Sequence, residues 1–315
     1  MSPFASEESR RQRAAQALAV GLFALLCLIW GSTWLVIKIG YGGLGPFNIA
    51  ALRFVLAGAL MTGLVWALRA PWPRGREQWS VVLVVGVVLF AVDYGLIYWA
   101  EQWLDSGITA VLFAVLPILT AVAAHVYLPA EPLTPKRIGG ALVAFLGVLA
   151  LFGESLRFDA ELLWPMAAIV ASAACAAVAS VYTKRHGAAL HPAALNAPAM
   201  MLGALLLAAA SLVAGDGLAL PREASGWWAV LYLAVFGSVV TFLIFFRLLK
   251  TWKATTMSYI AIITPVIALV LGWLVRDEGL TLWSLAGGVL VLLGVSLALR
   301  ANRGGAGGHP RDSRS

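Results

Sequence analysis

Apolar runs of roughly 17–25 residues follow one another along the chain, each about the length that crosses a hydrocarbon core as a helix. They fall at about 15–37, 46–68, 78–99, 105–128, 137–153, 162–182, 192–214, 226–249, 255–275 and 281–300, with short polar breaks between them. No stretch alternates with a period of two, so barrel strands are not indicated, and a single segment in lipid satisfies its own backbone only as an α-helix. The pattern predicts an all-α integral membrane protein with ten transmembrane helices. Arg10, Arg11 and Arg13 ahead of the first run imitate a signal peptide. No small-x-small cleavage site closes that run, so it reads as the first span.

Composition agrees with the pattern. The 315 residues are 61% hydrophobic and only 12% charged, against about 25% charged in a soluble domain. Such a chain cannot cover itself with polar surface, and lipid is its solvent.

The apolar pattern is written twice. Trp79, Tyr94, Tyr98 and Pro117 are answered by Trp227, Phe242, Phe246 and Pro265, always 148 residues on. After the prolines the register slips by one, and Glu131/Glu278, Thr134/Thr281, Gly140/Gly287 and Gly147/Gly294 match at 147. Five spans per copy is an odd number, so the second copy enters the membrane from the opposite side. The expectation is two inverted-topology five-helix repeats, residues 15–153 and 162–300, a design suited to alternating access around a midplane site. Residues 1–14 form an N-terminal segment, and 301–315, rich in glycine, a flexible tail.

The net charge of +7 sets orientation. With the N-terminus inside, seventeen Lys and Arg fall in inside loops and termini and four outside, while Arg53 lies within a span. This satisfies the positive-inside rule and places both termini in the cytoplasm, the chain being multi-pass in the plasma (inner) membrane. Basicity distributed this way gives no sign of nucleic-acid binding. Cys27 and Cys175 lie inside separate spans and suggest neither a disulfide nor a metal site.

Several motifs resemble those of the EamA-type transporters of the drug/metabolite transporter superfamily. Trp30-Gly31-Ser32-Thr33-Trp34-Leu35-Val36-Ile37-Lys38 is similar to the family's first-helix signature, and Pro46…Ala51-Leu52-Arg53-Phe54 to its second. Pro117 and Pro265, each followed by Glu-x-Leu-Thr and a glycine-rich helix, resemble the ends of the two EamA units. The second copy departs from the signature, with Val178-Ala179-Ser180-Val181-Tyr182 in place of Trp-Gly-Ser-Thr-Trp. The resemblance implies ten helices around a central cavity and export of a small organic solute such as an amino acid. The solute itself is not implied.

Symmetry helps to separate scaffold from site. Asp93, deep in the third span, has Thr241 as its mate. A carboxylate there is costly, so it faces a cavity or a partner. It is read either as a proton or cation site or as a structural acid hydrogen-bonded between helices. Arg53, whose mate is Met201, either pairs with Asp93, binds a substrate anion, serves the fold, or snorkels to the headgroups. Lys38, at the end of the first span, reads as an interfacial side chain.

Trp30 and Trp34, and Tyr94 and Tyr98, share faces at i, i+4. Turned inward, they would line a cavity for an amphiphilic solute. Trp34, Tyr94, Tyr98, Phe113, Tyr182, Phe242 and Tyr259 are the aromatic candidates, with packing as the equal alternative. Trp66, Trp72, Trp79, Trp227 and Trp228 lie near span ends and look like an interfacial belt. Pro117 and Pro265 are expected to kink their helices and shape or gate the cavity. Gly139, Gly140 and Gly147, with Gly287, Gly288 and Gly294, offer small-residue faces to a scaffold contact or a homodimer.

The four His do not cluster, no HExxH or Walker A motif occurs, and neither a cofactor nor a metal is expected. The partners expected are a small-molecule solute, lipid, and protons as a candidate coupling ion. The sequence thus reads as a secondary transporter, the alternatives being a membrane-embedded enzyme or a channel-like or non-transporting membrane protein.

Overall fold

A computed structural model describes residues 3–42, 44–151, 160–276 and 282–304. Glu278 and the tail beyond Gly304 lie outside the described residues. Among the described residues the elements are helical and no strand occurs. In chain order they are α1 (Pro3–Gly40), α2 (Pro46–Ala67), α3 (Gly75–Val84), α4 (Tyr94–Ala100), α5 (Ser106–Phe113), α6 (Leu116–Tyr127), α7 (Pro135–Leu151), α8 (Leu163–His186), α9 (Pro192–Val213), α10 (Ala224–Ala234), α11 (Thr241–Thr251), α12 (Ala254–Ser258), α13 (Ile260–Arg276) and α14 (Leu282–Gly304). Two π-helical segments, Val85–Asp93 and Val235–Val240, join α3 to α4 and α10 to α11. Joined in this way, Gly75–Ala100 and Ala224–Thr251 are continuous apolar helices.

Among the described residues, seven helices are long and apolar enough to cross a membrane, and three shorter apolar ones cover 138–150, 254–267 and 286–298. Leu28, Leu60, Trp66, Leu83, Trp164, Leu205 and Trp228 are exposed. Apolar side chains pointing outward on so many helices require a lipid surround. The chain is a multi-pass membrane protein.

Local sequence explains where helices start. Pro46 and Pro192 open α2 and α9, where a missing N–H costs no intrahelical bond. At α9 the His191 imidazole also accepts from the Ala193 amide, 3.2 Å away. Pro117 lies in the first turn of α6, just after the chain breaks between Phe113 and Leu116. Pro265 differs: it lies inside α13, and the neighbouring break is at Tyr259, between α12 and α13.

α2 lies along α9, and the first π segment packs against α8 and α9. The main core runs through α1–α6 and α8–α12, around Phe54, Phe90, Tyr98 and Met200. A second, smaller core joins α7 and α14 to α5 and α13 through Val111, Ala144, Val148, Tyr259, Ile262 and Val291.

Glycine sets the α7–α14 spacing. A Cβ on Gly147 would lie 2.6 Å from the Val291 nitrogen, and one on Gly140 2.7 Å from the Ala298 nitrogen. These faces are therefore occupied within the chain, whereas nothing stands within 4 Å of a Cβ at Gly139 or Gly288. Gly147→Val is expected to force α7 off α14 at a cost of about 1–3 kcal/mol. Thermal unfolding in detergent should show a lower midpoint for Gly147→Val and an unchanged one for Gly139→Ala.

Candidate solute cavity

The centre of the bundle holds a cavity of about 850 Å³, its open mouth included. Its walls come from α1 (Trp30, Thr33, Trp34, Ile37), α2 (Arg53), the first π segment and α4 (Leu89, Asp93, Tyr94, Ile97), α5 and α6 (Phe113, Leu116, Thr120), α8 (Ala176, Ser180), α11 (Phe242, Phe245) and α12–α13 (Ala254, Met257, Ser258, Ile260, Ala261, Thr264). The lining is aromatic and mostly apolar, with few polar atoms.

The rings meet in two groups. Phe242 lies 5.4 Å from Trp30, 4.9 Å from Phe90 and 6.2 Å from Tyr94, all at steep interplanar angles. Trp34 meets Phe113 edge-on at 5.6 Å. Edge-to-face contacts of this kind hold rings in place while leaving faces open to a ligand.

The two π segments position the polar groups. A π turn widens the helix and releases carbonyls from regular pairing. In the second segment the Gly237 carbonyl accepts from Arg53 Nη2 at 2.7 Å and from Trp30 Nε1 at 3.3 Å. Ser238 Oγ accepts from Arg53 Nε at 2.8 Å and donates to the Leu233 carbonyl at 2.9 Å. The space at Gly237 is tight: a Cβ there would sit 3.2 Å from Arg53 Nη2 and 3.1 Å from Thr33 Cγ2, so one of these side chains would have to give way. Asp93 ends the first π segment and is turned into the cavity.

Arg53 is 1% exposed, so it does not snorkel. Besides the second π segment it donates to the Tyr98 hydroxyl at 3.3 Å, and its guanidinium lies 4.7 Å from the centre of the Tyr94 ring and 5.2 Å from that of Phe54. These bonds engage three of the five guanidinium N–H groups. Asp93, 2% exposed, forms no ion pair with it, although the two are close enough to interact electrostatically.

Three lining groups are buried without a hydrogen-bond partner: Asp93 Oδ1, Trp34 Nε1 and Thr120 Oγ1. Buried polar atoms are normally paired. An unmet acceptor and an unmet donor thus belong to residues that line one apolar cavity.

Of the sequence candidates, Trp34, Arg53, Asp93, Tyr94, Phe113 and Phe242 line this cavity. Tyr98 is fully buried behind the wall and holds Arg53. Tyr182 is not a lining residue; its hydroxyl is 2.9 Å from Ser80 Oγ and its ring stacks near His186. Tyr259 belongs to the second core. Pro117 and Pro265 are not among the lining residues. Trp30 shares its face with Trp34 and lines the cavity too. Ser180 stood out only as part of the second copy's departure from the signature, and Thr120, Ser258 and Thr264 carried no sequence signal, being ordinary small polar residues in apolar runs. The five tryptophans read as an interfacial belt are all exposed.

One end of the cavity wall is tied in place by hydrogen bonds. Glu131, 3% exposed, accepts from the Ala254 and Thr255 amides at 2.8 and 3.1 Å and from Thr255 Oγ1 at 2.9 Å. It thus caps the first turn of α12, whose Ala254, Met257 and Ser258 face the cavity. Nearby, Lys184 Nζ donates to the Leu249 and Lys250 carbonyls, and Arg185 to Tyr127. Glu131→Ala is expected to loosen this end. A cysteine placed at Ser258 should then react several-fold faster with an impermeant maleimide than in the Glu131 parent.

The fold is that of a multi-pass membrane protein with an aromatic-lined cavity between its helices. The profile of the EamA-like transporter family matches residues 17–153 and again 163–300, and the chain belongs to that family. It is 31% identical over 295 residues to the Escherichia coli (strain K12) inner membrane transporter YedA, covering 92% of this chain and 93% of that one. It is 25% identical over 269 residues to the transporter YoaV of Bacillus subtilis (strain 168), covering 85% and 92%. A solved crystal structure superimposes with a TM-score of 0.78 at 20% identity over 91% of this chain and 98% of its own, which supports the fold.

Proposed function

We propose that the protein is a secondary transporter that exports an apolar, zwitterionic amino acid across the plasma (inner) membrane by alternating access. The observation that carries this reading is the lining: Arg53, Trp34 with its unpartnered N–H and Asp93 with its unpartnered oxygen, among aromatic rings. A substrate carboxylate suits a guanidinium fork, an ammonium suits Asp93, and an apolar side chain suits the Trp30, Trp34, Phe113 and Phe242 surfaces. The ten spans are read as two inverted five-helix units, with both termini cytoplasmic. Supporting this are the doubled family match, the paired π segments and the pairing of α2 with α9 and α7 with α14. Outward direction rests on the family resemblance.

The test is counterflow in proteoliposomes loaded with unlabelled L-phenylalanine and given labelled L-phenylalanine outside. Transient accumulation is expected, with L-phenylalanine inhibiting well and both L-phenylalaninamide and 3-phenylpropionate inhibiting poorly. Passive equilibration without overshoot would indicate a channel. Equal inhibition by the amide would remove the carboxylate–Arg53 reading.

A further inference from the structure

The cavity's polar groups leave one buried acid unused. Glu101 follows α4 directly and belongs to no predicted span, yet it is 0% exposed and neither carboxylate oxygen has a hydrogen-bond partner. It lies eight residues beyond Asp93, or about 12 Å along the helix at the usual rise per residue. A structural acid would use its O–H or its lone pairs to tie two elements together; this one ties nothing.

Its surroundings pull in opposite directions. Burial disfavours the charge, and so does the position at the carbonyl end of α4, where the helix dipole is negative. Two cations favour it: Lys38, half-buried in the last turn of α1, and Arg53 of α2. Neither cation bonds to it. The remaining titratable neighbours are two phenols, Tyr98 on α4 and Tyr41 just after α1. The Tyr41 hydroxyl bonds to the Tyr98 carbonyl, fastening the chain after Lys38 to the helix that carries Glu101. The balance leaves the Glu101 carboxyl well above the usual carboxylate range, burial being the largest cause.

We infer that Glu101 is a proton-binding site of this transporter, loaded in the conformation described and emptied when α1 and α4 shift to bring the Lys38 ammonium onto it. The geometry favours a two-position device. A carboxylic acid too far from Lys38 to bond keeps its proton; one in contact with an ammonium releases it to water and remains as the carboxylate of an ion pair. Movement of α1 against α4 also changes the cavity, since Ile37 and Ile97 line it from these same two helices. Proton release and cavity opening would thus be one motion.

The site can be tested without a substrate, so its failure is distinguishable from failure of the amino-acid reading. Infrared spectra of the full-length protein in lipid nanodiscs, recorded across a pH series, should contain a neutral-carboxyl C=O band that titrates. Glu101→Gln should lose it, Glu101→Asp should keep a displaced one, and Asp93→Asn should retain it. Lys38→Met removes the cation that favours ionisation and should move the titration upward by about one pH unit or more. A structural acid would show either no neutral band or one that never titrates, and either outcome overturns the proposal. In proteoliposomes holding a pH-sensitive dye, L-phenylalanine should drive a proton flux that Glu101→Gln abolishes. Unchanged flux in that variant would equally overturn it.

Discussion

Arg53→Lys is expected to reduce transport at least about 100-fold while the protein remains assembled. Arg53 bonds through Nε, Nη1 and Nη2 to Ser238, Tyr98 and the Gly237 carbonyl, and lies over Tyr94. A lysine ammonium is a single point with three donors and cannot reproduce a planar fork reaching three acceptors. Two guanidinium N–H groups remain for a substrate carboxylate; such bonds are each worth about 1.5–3 kcal/mol, and losing both corresponds to two orders of magnitude or more. The Gly237 carbonyl would still have Trp30 as donor, so the second π segment has a reason to persist. The expected signature is therefore a monodisperse protein with a modestly lowered unfolding midpoint and almost no L-phenylalanine counterflow. Wild-type rates in Arg53→Lys would mean that the guanidinium neither binds solute nor shapes the lining.

That Arg53 would be central was only half legible in the sequence. Its position in an apolar run marked it as costly, but sequence left four roles open, snorkelling among them. Two of its three hydrogen-bond partners come from a π segment 184–185 residues away, and nothing in Val235–Val240 announces a π turn: there is no proline and no charge. The multi-pass helical character was legible for a simpler reason, since lipid requires long apolar runs, and seven of the helices are long and apolar enough to cross. Facing was harder. A run that is apolar all round carries no periodic signal for which side meets the cavity, so Tyr182 and Tyr259 stood level with Tyr94 and Phe242 although they pack elsewhere. Glu101 was hidden by the opposite error. It sits in a break between apolar runs, where an acid looks solvated, and only the tertiary packing buries it.

Asp93, which breaks the repeat symmetry and lines the cavity, carries the second large effect. Asp93→Asn keeps the shape of the side chain and one oxygen acceptor, removes the charge and replaces the second oxygen by an NH₂ group. If Asp93 holds the substrate ammonium, losing that charge costs about 1.5–3 kcal/mol, or roughly a 10- to 150-fold weaker apparent affinity for L-phenylalanine. An amide adds a further difficulty: its NH₂ group would point two donors where an ammonium needs acceptors. The loss should be specific. Inhibition by 3-phenylpropionate, which has no amine, should change little, so the preference for the amino acid over the acid should collapse. A purely structural Asp93 predicts something else, because the unpartnered Oδ1 would then matter to stability and not to the choice of ligand. Unaltered discrimination between L-phenylalanine and 3-phenylpropionate in Asp93→Asn, across the same pH series used for Glu101, would exclude Asp93 both as the amine site and as a second proton carrier.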